Sequence, residues 1–275
     1  QSLRRLNVRS CDALHPQLPQ LLGPRLQRLE AGWKSEGDQT RDMRAWGKMW
    51  PPDFFRELCG QCQSLTVLGV RGYILSQPQT QQDLSRVLEQ FRQMRNVSAL
   101  RNLRRLNLSC AMNMEDAALV KIVAGCRQLR SLNLRCCSEL TDQSLSAITL
   151  HLHSTLVHLN VSCCRFSEEA VRRLVEVCRR LKTLDLCYCG RLGPAVVTFL
   201  CADPTLCPEL RMIGAGGLDL TDREIAALCE KYRDTLEHLG IGSAGLITDE
   251  GFRLLAGLPR LQRLCAHQQK GVSTR

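Results

Sequence analysis

The sequence predicts an α/β solenoid, one small unit stacked many times, with parallel strands on a concave inner face and helices on the convex outer face. Three observations carry that expectation. A phrase, Leu-x-x-Leu-x-(Leu/Val) with cysteine two or three residues later, runs from Leu103, Leu129, Leu156 and Leu181 to Cys110, Cys137, Cys164 and Cys189. Its anchor leucines, continued through Leu210, Leu236 and Leu261, are 26, 27, 25, 29, 26 and 25 residues apart, the period of a strand–turn–helix repeat. Behind each phrase a capping residue opens an amphipathic stretch. Helices need about 10 Å of lateral room and paired strands about 4.8 Å, so such a stack curves with its strands inside.

Taken in order, the units begin irregularly. The anchors Leu3, Leu26, Leu65 and Leu103 are 23, 39 and 38 residues apart, which makes residues 1–102 an insertion-bearing region. Residues 34–52, with Trp46 and Trp50, read as an inserted loop. A helix resumes over Asp53–Cys59. Residues 79–99 form the longest helix candidate, with Leu84, Val87, Leu88, Phe91 and Met94 on one stripe. From 103 to 267 the units are regular. Each phrase alternates as a strand with one buried face does. Thr141 or Asp142 caps one following helix, Thr221-Asp-Arg-Glu224 has capping-box spacing for another, and Thr248-Asp249 repeats the cap. Residues 1–267 are thus read as one repeat domain and 268–275, without pattern, as a flexible tail.

The chain has 275 residues, a net charge of +10 and sixteen cysteines. Gln1 in place of Met points to a fragment or a processed chain. No run of 18 apolar residues suggests a membrane span. The cysteines sit at repeat positions, and the adjacent pairs Cys136-Cys137 and Cys163-Cys164 suit buried free thiols in a reducing compartment better than a disulfide framework. The sequons Asn107-Leu-Ser109 and Asn160-Val-Ser162 fall inside predicted strands, where a glycan would spoil the sheet. Cytosol or nucleus is the expected location. The charge is diffuse and favours an acidic partner as an encounter effect.

The repeat phrase resembles the cysteine-containing leucine-rich repeat of the F-box/leucine-rich-repeat proteins, Cys-x-x-Leu-x-x-Leu-x-Leu-x-x-Cys-x-x-(Ile/Leu)-(Thr/Ser)-Asp. Cys126, Leu129, Leu132, Leu134, Cys137 and Leu140-Thr141-Asp142 match it almost throughout. Cys178 through Cys189 match until Gly193-Pro194 replaces Thr-Asp; Leu156 through Cys164 match, then Phe166-Ser167-Glu168 arrives one residue early. Cys62 and Cys207 keep the leading cysteine, while Leu220-Thr221-Asp222 and Ile247-Thr248-Asp249 keep the cap without the second cysteine. The resemblance implies a leucine-rich-repeat horseshoe. It also implies a repeat module that holds the substrate of a ubiquitin ligase, while a separate F-box recruits Skp and cullin subunits. None of these residues reads as an F-box, so Skp and cullin are expected partners only where one precedes Gln1. A free-standing interaction scaffold or inhibitor is the other reading.

With the anchor leucine as position 1, positions 4 and 6 point to the core and positions 3, 5 and 7 to the concave face. Two features mark that face. A polar ladder runs through Asn107, Asn133, Asn160 and Asp185, with Ser162 and Tyr188 beside it. Then Gly214, Gly216, Gly240 and Gly242 strip two strands of side chains, as close approach of another backbone requires. The asparagines either bond one another, with the glycines relaxing curvature, or they hold a partner segment seated in a glycine groove. In the second case Arg105 and Arg135 draw an acidic stretch of a protein partner, and bulky replacements of Gly214 and Gly240 abolish binding without unfolding.

Other chemistries are weaker. Cys59-x-x-Cys62 is half a zinc pattern, but the remaining cysteines occupy small buried slots without clustered histidines. His158 and His238 lie about three repeats apart at about 4.8 Å per strand, too far to share a thiol nucleophile; Cys187 alone reads as accessible. Gly214-Ala-Gly-Gly217 lacks the lysine of a phosphate loop. Aromatics are 4% of the chain, too few for a base-stacking surface, so nucleic acid is not the expected partner. No enzyme activity, metal or cofactor is expected.

Overall fold

The fold is seen in a computed structural model, which describes residues 3–9, 22–32, 54–71, 95–243 and 246–266. The chain forms two compact units, Gln1–Glu139 and Leu140–Arg275. The described residues form ten parallel strands, five in each unit, alternating with helices.

In the first unit the strands are β1 (Arg5–Arg9), β2 (Arg28–Gly32), β3 (Val67–Arg71), β4 (Arg105–Asn107) and β5 (Ser131–Asn133). They pair in sequence order and in register, so Leu6, Leu29, Leu68, Leu106 and Leu132 form one row. From Leu29 onward that row is 0–1% exposed, and each buried leucine contributes about 2 kcal/mol of transfer free energy. Parallel pairing needs a crossover between strands. One is α1 (Phe54–Gln61), which buries Phe54, Phe55, Leu58 and Cys59, the two rings meeting edge-on at 5.3 Å. Another is α2 (Asp116–Gly125), which buries Ala118, Leu119, Ile122 and Val123. The inserted loop at 34–52 lies outside the described residues, as do residues 79–94 of the long helix candidate. Its described end, Arg95–Ala99, is a 3-10 helix rather than α-helix.

In the second unit the order is α3 (Asp142–Leu152), β6 (His158–Asn160), α4 (Glu168–Val177), β7 (Thr183–Asp185), α5 (Ala195–Ala202), β8 (Met212–Gly214), α6 (Asp222–Lys231), β9 (His238–Gly240), α7 (Asp249–Ala256) and β10 (Arg263–Cys265). Leu159, Leu184, Ile213 and Leu239 form the core row, each 1% exposed. On β10 the row reaches Leu264, which is 37% exposed.

Hydroxyls, not aspartates, cap α3, α4, α6 and α7. Thr141 accepts from Gln143 N, Thr221 and Glu224 make the reciprocal capping box, and Ser167 and Thr248 cap α4 and α7. The aspartate after the threonine reaches forward instead. Asp142 Oδ1 accepts from Ser167 N at 2.8 Å. Asp222 accepts from Thr248 N at 2.9 Å and Gly251 N at 3.2 Å. Each such aspartate therefore joins the start of its own helix to the start of the next. Pro194 leaves α5 without a side-chain cap.

The chain leaves successive strands through one corner. Position 8 has positive φ at Cys110 (65°), Cys136 (58°), Cys163 (59°), Tyr188 (57°), Gly217 (75°) and Ser243 (56°). A left-handed non-glycine residue costs about 1 kcal/mol, so these corners are held from outside. The backbone of position 8 donates to the following repeat, as Cys110 N does to Arg135 O at 2.7 Å and Tyr188 N to Gly216 O at 2.7 Å. Buried cysteines add a second tie. Cys137 Sγ donates to Leu108 O at 3.3 Å, Cys189 Sγ to Val161 O at 3.2 Å and Cys126 Sγ to Val97 O at 3.2 Å. The slot thus takes a residue that is both small and a weak donor.

Candidate functional site

On the solvent side of the strands, the four ladder residues at position 5 each serve their own corner. Asn107 Oδ1 accepts from Ser109 N, Asn133 Oδ1 from Arg135 N and Asn160 Oδ1 from Ser162 N, all at 3.0 Å; Asp185 Oδ1 accepts from Cys187 N at 3.1 Å. These i to i+2 bonds are Asx turns, which bend the chain out of the strand toward the left-handed residue. Asn160 Nδ2 also donates to Asp185 Oδ2 at 2.8 Å. In each unit the polar ladder is therefore engaged internally, with Asn107, Asn133, Asn160 and Asp185 left half-exposed.

The glycine groove is corrected by the structure. Gly214, Gly216 and Gly242 are buried, and so is Ser162, whose hydroxyl donates to Asn160 Oδ1 at 2.7 Å. Asp185 and Cys187 lean from β7 across β8. A Cβ on Gly214 would sit 2.8 Å from Asp185 Cγ and 3.0 Å from Cys187 Sγ. On Gly216 it would meet the Gly242 carbonyl oxygen at 2.7 Å. These glycines make room for the protein's own side chains and backbone, so a bulky residue at Gly214 must displace Asp185 before it can obstruct anything. Gly240 is different: half-exposed, with Gly214 Cα at 3.6 Å from an added Cβ, it has ordinary space.

Cys187 is half-buried rather than open. Its sulfur accepts from Gly216 N at 3.3 Å. Burial, then the charge of Asp185, pushes its thiol up to about 12, so it is not a thiolate nucleophile at neutral pH. Cys59, Cys126 and Cys137 are likewise pushed up to about 12, burial being the largest cause. Among the described residues no three His, Cys, Asp or Glu side chains gather to hold a metal ion.

Three expected site residues stay outward. Arg105 and Arg135 are exposed, and Tyr188 is 45% exposed. The Tyr188 ring lies against Gly217, whose added Cβ would be 3.0 Å from Tyr188 Cδ1.

A further row lies at position 2 just before each strand, a position that the repeat phrase leaves as x and so does not specify. In the first unit it runs Arg4, Gln27, Thr66, Arg104, Arg130. Each N–H donates to the preceding carbonyl, Gln27 to Arg4 at 2.8 Å, Thr66 to Gln27 at 2.9 Å, Arg104 to Thr66 at 2.9 Å and Arg130 to Arg104 at 2.8 Å. In the second unit the row is Val157, Lys182, Arg211, Glu237, Gln262, linked the same way at 2.8 Å. There Lys182 pairs with Glu209 at 2.9 Å and Arg211 with Glu237 at 3.1 Å. Arg104 and Arg130, exposed, meet no carboxylate among the described residues. The available signal was the absence of any acidic residue between Asp116 and Glu139.

With this geometry in hand, known proteins give the context. The Leucine Rich repeat family matches residues 125–148, which span the fullest copy of the repeat phrase. No curated protein sequence matches the chain. Similar solved structures include a chain of the yeast Rad7–Elc1 complex, at 18% identity and a TM-score of 0.46, covering 91% of this chain and 72% of that one. An internalin, inlF, from Listeria monocytogenes is similar at 14% identity and a TM-score of 0.42, covering 99% and 82%. The tropomodulin C-terminal domain of Caenorhabditis elegans is similar at 14% identity and 0.36, covering 63% and 92%. The fold is an α/β leucine-rich-repeat solenoid, and the family match falls on one of its repeats, residues 125–148. Repeats of this kind form protein-binding modules. No helix among the described residues is long and apolar enough to cross a membrane.

Proposed function

We propose that this module is the substrate-recognition part of a Skp–cullin–F-box type ubiquitin ligase and has no catalytic chemistry of its own. The observation that carries the reading is the run from Cys126 to Asp142. There the leading cysteine, three leucines, second cysteine and Thr-Asp all follow the phrase of the F-box/leucine-rich-repeat proteins. Each of these residues is also used: Cys126 and Cys137 tie to the preceding repeat, Thr141 caps α3, and Asp142 braces α4. In the first unit the outward residues Arg105 and Arg135 and the outer side of Asn107 and Asn133 are the candidate substrate contacts; in the second unit they are Tyr188 and the outer side of Asn160 and Asp185.

The test is affinity purification of the full-length protein from cells followed by immunoblotting for Skp and cullin subunits. Co-purification of both is the expected outcome. Their absence, with other proteins retained, replaces the ligase reading by a free-standing scaffold or inhibitor.

A further inference from the structure

We propose that the leading edge of the first unit's strands, centred on Arg104, Arg105 and Arg130, docks an acidic segment of a protein partner. Arg104 and Arg130 are backbone hydrogen-bonded neighbours on adjacent repeats, so their side chains leave backbones about 4.8 Å apart. Arg105 follows Arg104 directly, and Arg101 and Arg127 occupy the turns leading into the same two strands. All five are exposed. Arg101, Arg104, Arg105 and Arg130 form no ion pair with a carboxylate among the described residues, and Glu30, the one acidic residue on these strands, is taken by Arg28 at 2.7 Å.

This is a property of the sequence carried on the edge and not of the fold. The second unit presents cations at the same repeat position and neutralises them with Glu209 and Glu237. Among its described residues the first unit pairs no carboxylate with Arg104 or Arg130. A row of like charges raises the energy of the free protein and is relieved when an anion arrives. Guanidinium forks take carboxylates in bidentate fashion, which suits side chains of Asp and Glu on an extended segment crossing the strand ends. Nucleic acid fits less well. Among the described residues of this unit the exposed large apolar side chain is Leu3, so those residues offer no aromatic platform for bases.

The inference rests on the module being protein-binding, but not on its serving a ligase, so it stands or falls separately from Skp and cullin co-purification. The probe is a fluorescein-labelled oligoglutamate peptide, followed by fluorescence anisotropy against the full chain at several salt concentrations. Arg104→Glu with Arg130→Glu is expected to weaken binding by about tenfold or more and to flatten its salt dependence. Arg173→Glu with Arg253→Glu, the same charge change on helices of the second unit, is expected to weaken it by less than about twofold. Arg104→Gln with Arg130→Gln gives the same test should the glutamate pair unfold the chain, and circular dichroism reports that. Equal losses in the two glutamate pairs would mean a diffuse charge effect and overturn the proposal. So would unchanged binding, or tighter binding of a labelled RNA oligonucleotide that the same edge substitutions abolish.

Discussion

The first and second units carry the same leucine frame and treat their polar residues in opposite ways. At position 2 the first unit sets Arg104 beside Arg130, and neither pairs with a carboxylate among the described residues. At the same position the second unit sets Lys182, Arg211 and Glu237 in a row and pairs each cation. The contrast extends beyond charge. In the second unit Asp185 covers Gly214, Asp222 bridges two helix starts, and Lys231 Nζ donates to the carbonyls of Leu200, Asp203 and Leu206. A repeat frame that fixes backbone and core leaves its variable positions free to be spent inward, on cohesion, or outward, on an encounter surface.

The sharpest way to probe the inward-facing half is Lys231. The 29-residue step from Leu181 to Leu210 lengthens the loop after α5, and Lys231 gathers that loop's carbonyls. Burial holds its ammonium below the ordinary lysine range, offset by Cys201, Cys207 and Asp203. Lys231→Met keeps the stem and removes the donor, and is expected to cost about 2 kcal/mol in urea denaturation. No loss would mean that the loop is held by packing alone.

Asp222 comes next. Its carboxyl lies below the usual aspartate range, first because the Thr248 hydroxyl donates to it, against an opposing effect of burial. A carboxyl depressed in the folded state binds its proton first in the unfolded chain, near pH 4. Its stabilisation is therefore complete above about pH 4 and is lost as pH falls through the folded value. Asp222→Asn is expected to cost about 1 kcal/mol at neutral pH and to flatten the acid limb of stability against pH. An unchanged acid limb would assign that limb to other carboxylates.

The smallest effects bear on the comparison itself. Glu237→Gln removes a surface pair and is expected to cost no more than about 0.5 kcal/mol. Arg104→Gln relieves like-charge repulsion and is expected to be neutral or to stabilise by a few tenths of a kcal/mol, about the scale of other exposed charge changes. Thermal melts at low and high salt report both. Substitutions with the same sign in the two units would erase the distinction drawn between their edges.

Much of the architecture was legible because the hydrophobic period and the caps are local signals. Leu132, Leu159 and Leu184 are buried where the alternation places them, and Thr141, Thr221 and Thr248 cap as their spacing indicates. The face was read less well. Position 7 was expected outside, yet Ser162, Gly216 and Gly242 are buried, because the chain is already turning under the next corner. Gly214 looked like an opening for a partner, although Asp185, one repeat away, fills it. Asp142 looked like an alternative cap for its own helix, whereas its acceptor, like that of Asp222, serves the helix that follows.

The sequence by itself determined the strand–turn–helix unit, its number of copies in the regular region, and which leucines of the inner repeats face inward. Those properties depend on residues within one repeat, a few positions apart, where periodicity and capping operate. Only the tertiary structure decided which polar side chains are spent on the neighbouring repeat and which remain for a partner. That choice turns on residues about 25 positions apart brought within hydrogen-bond reach by stacking, and no pattern inside a single repeat contains it.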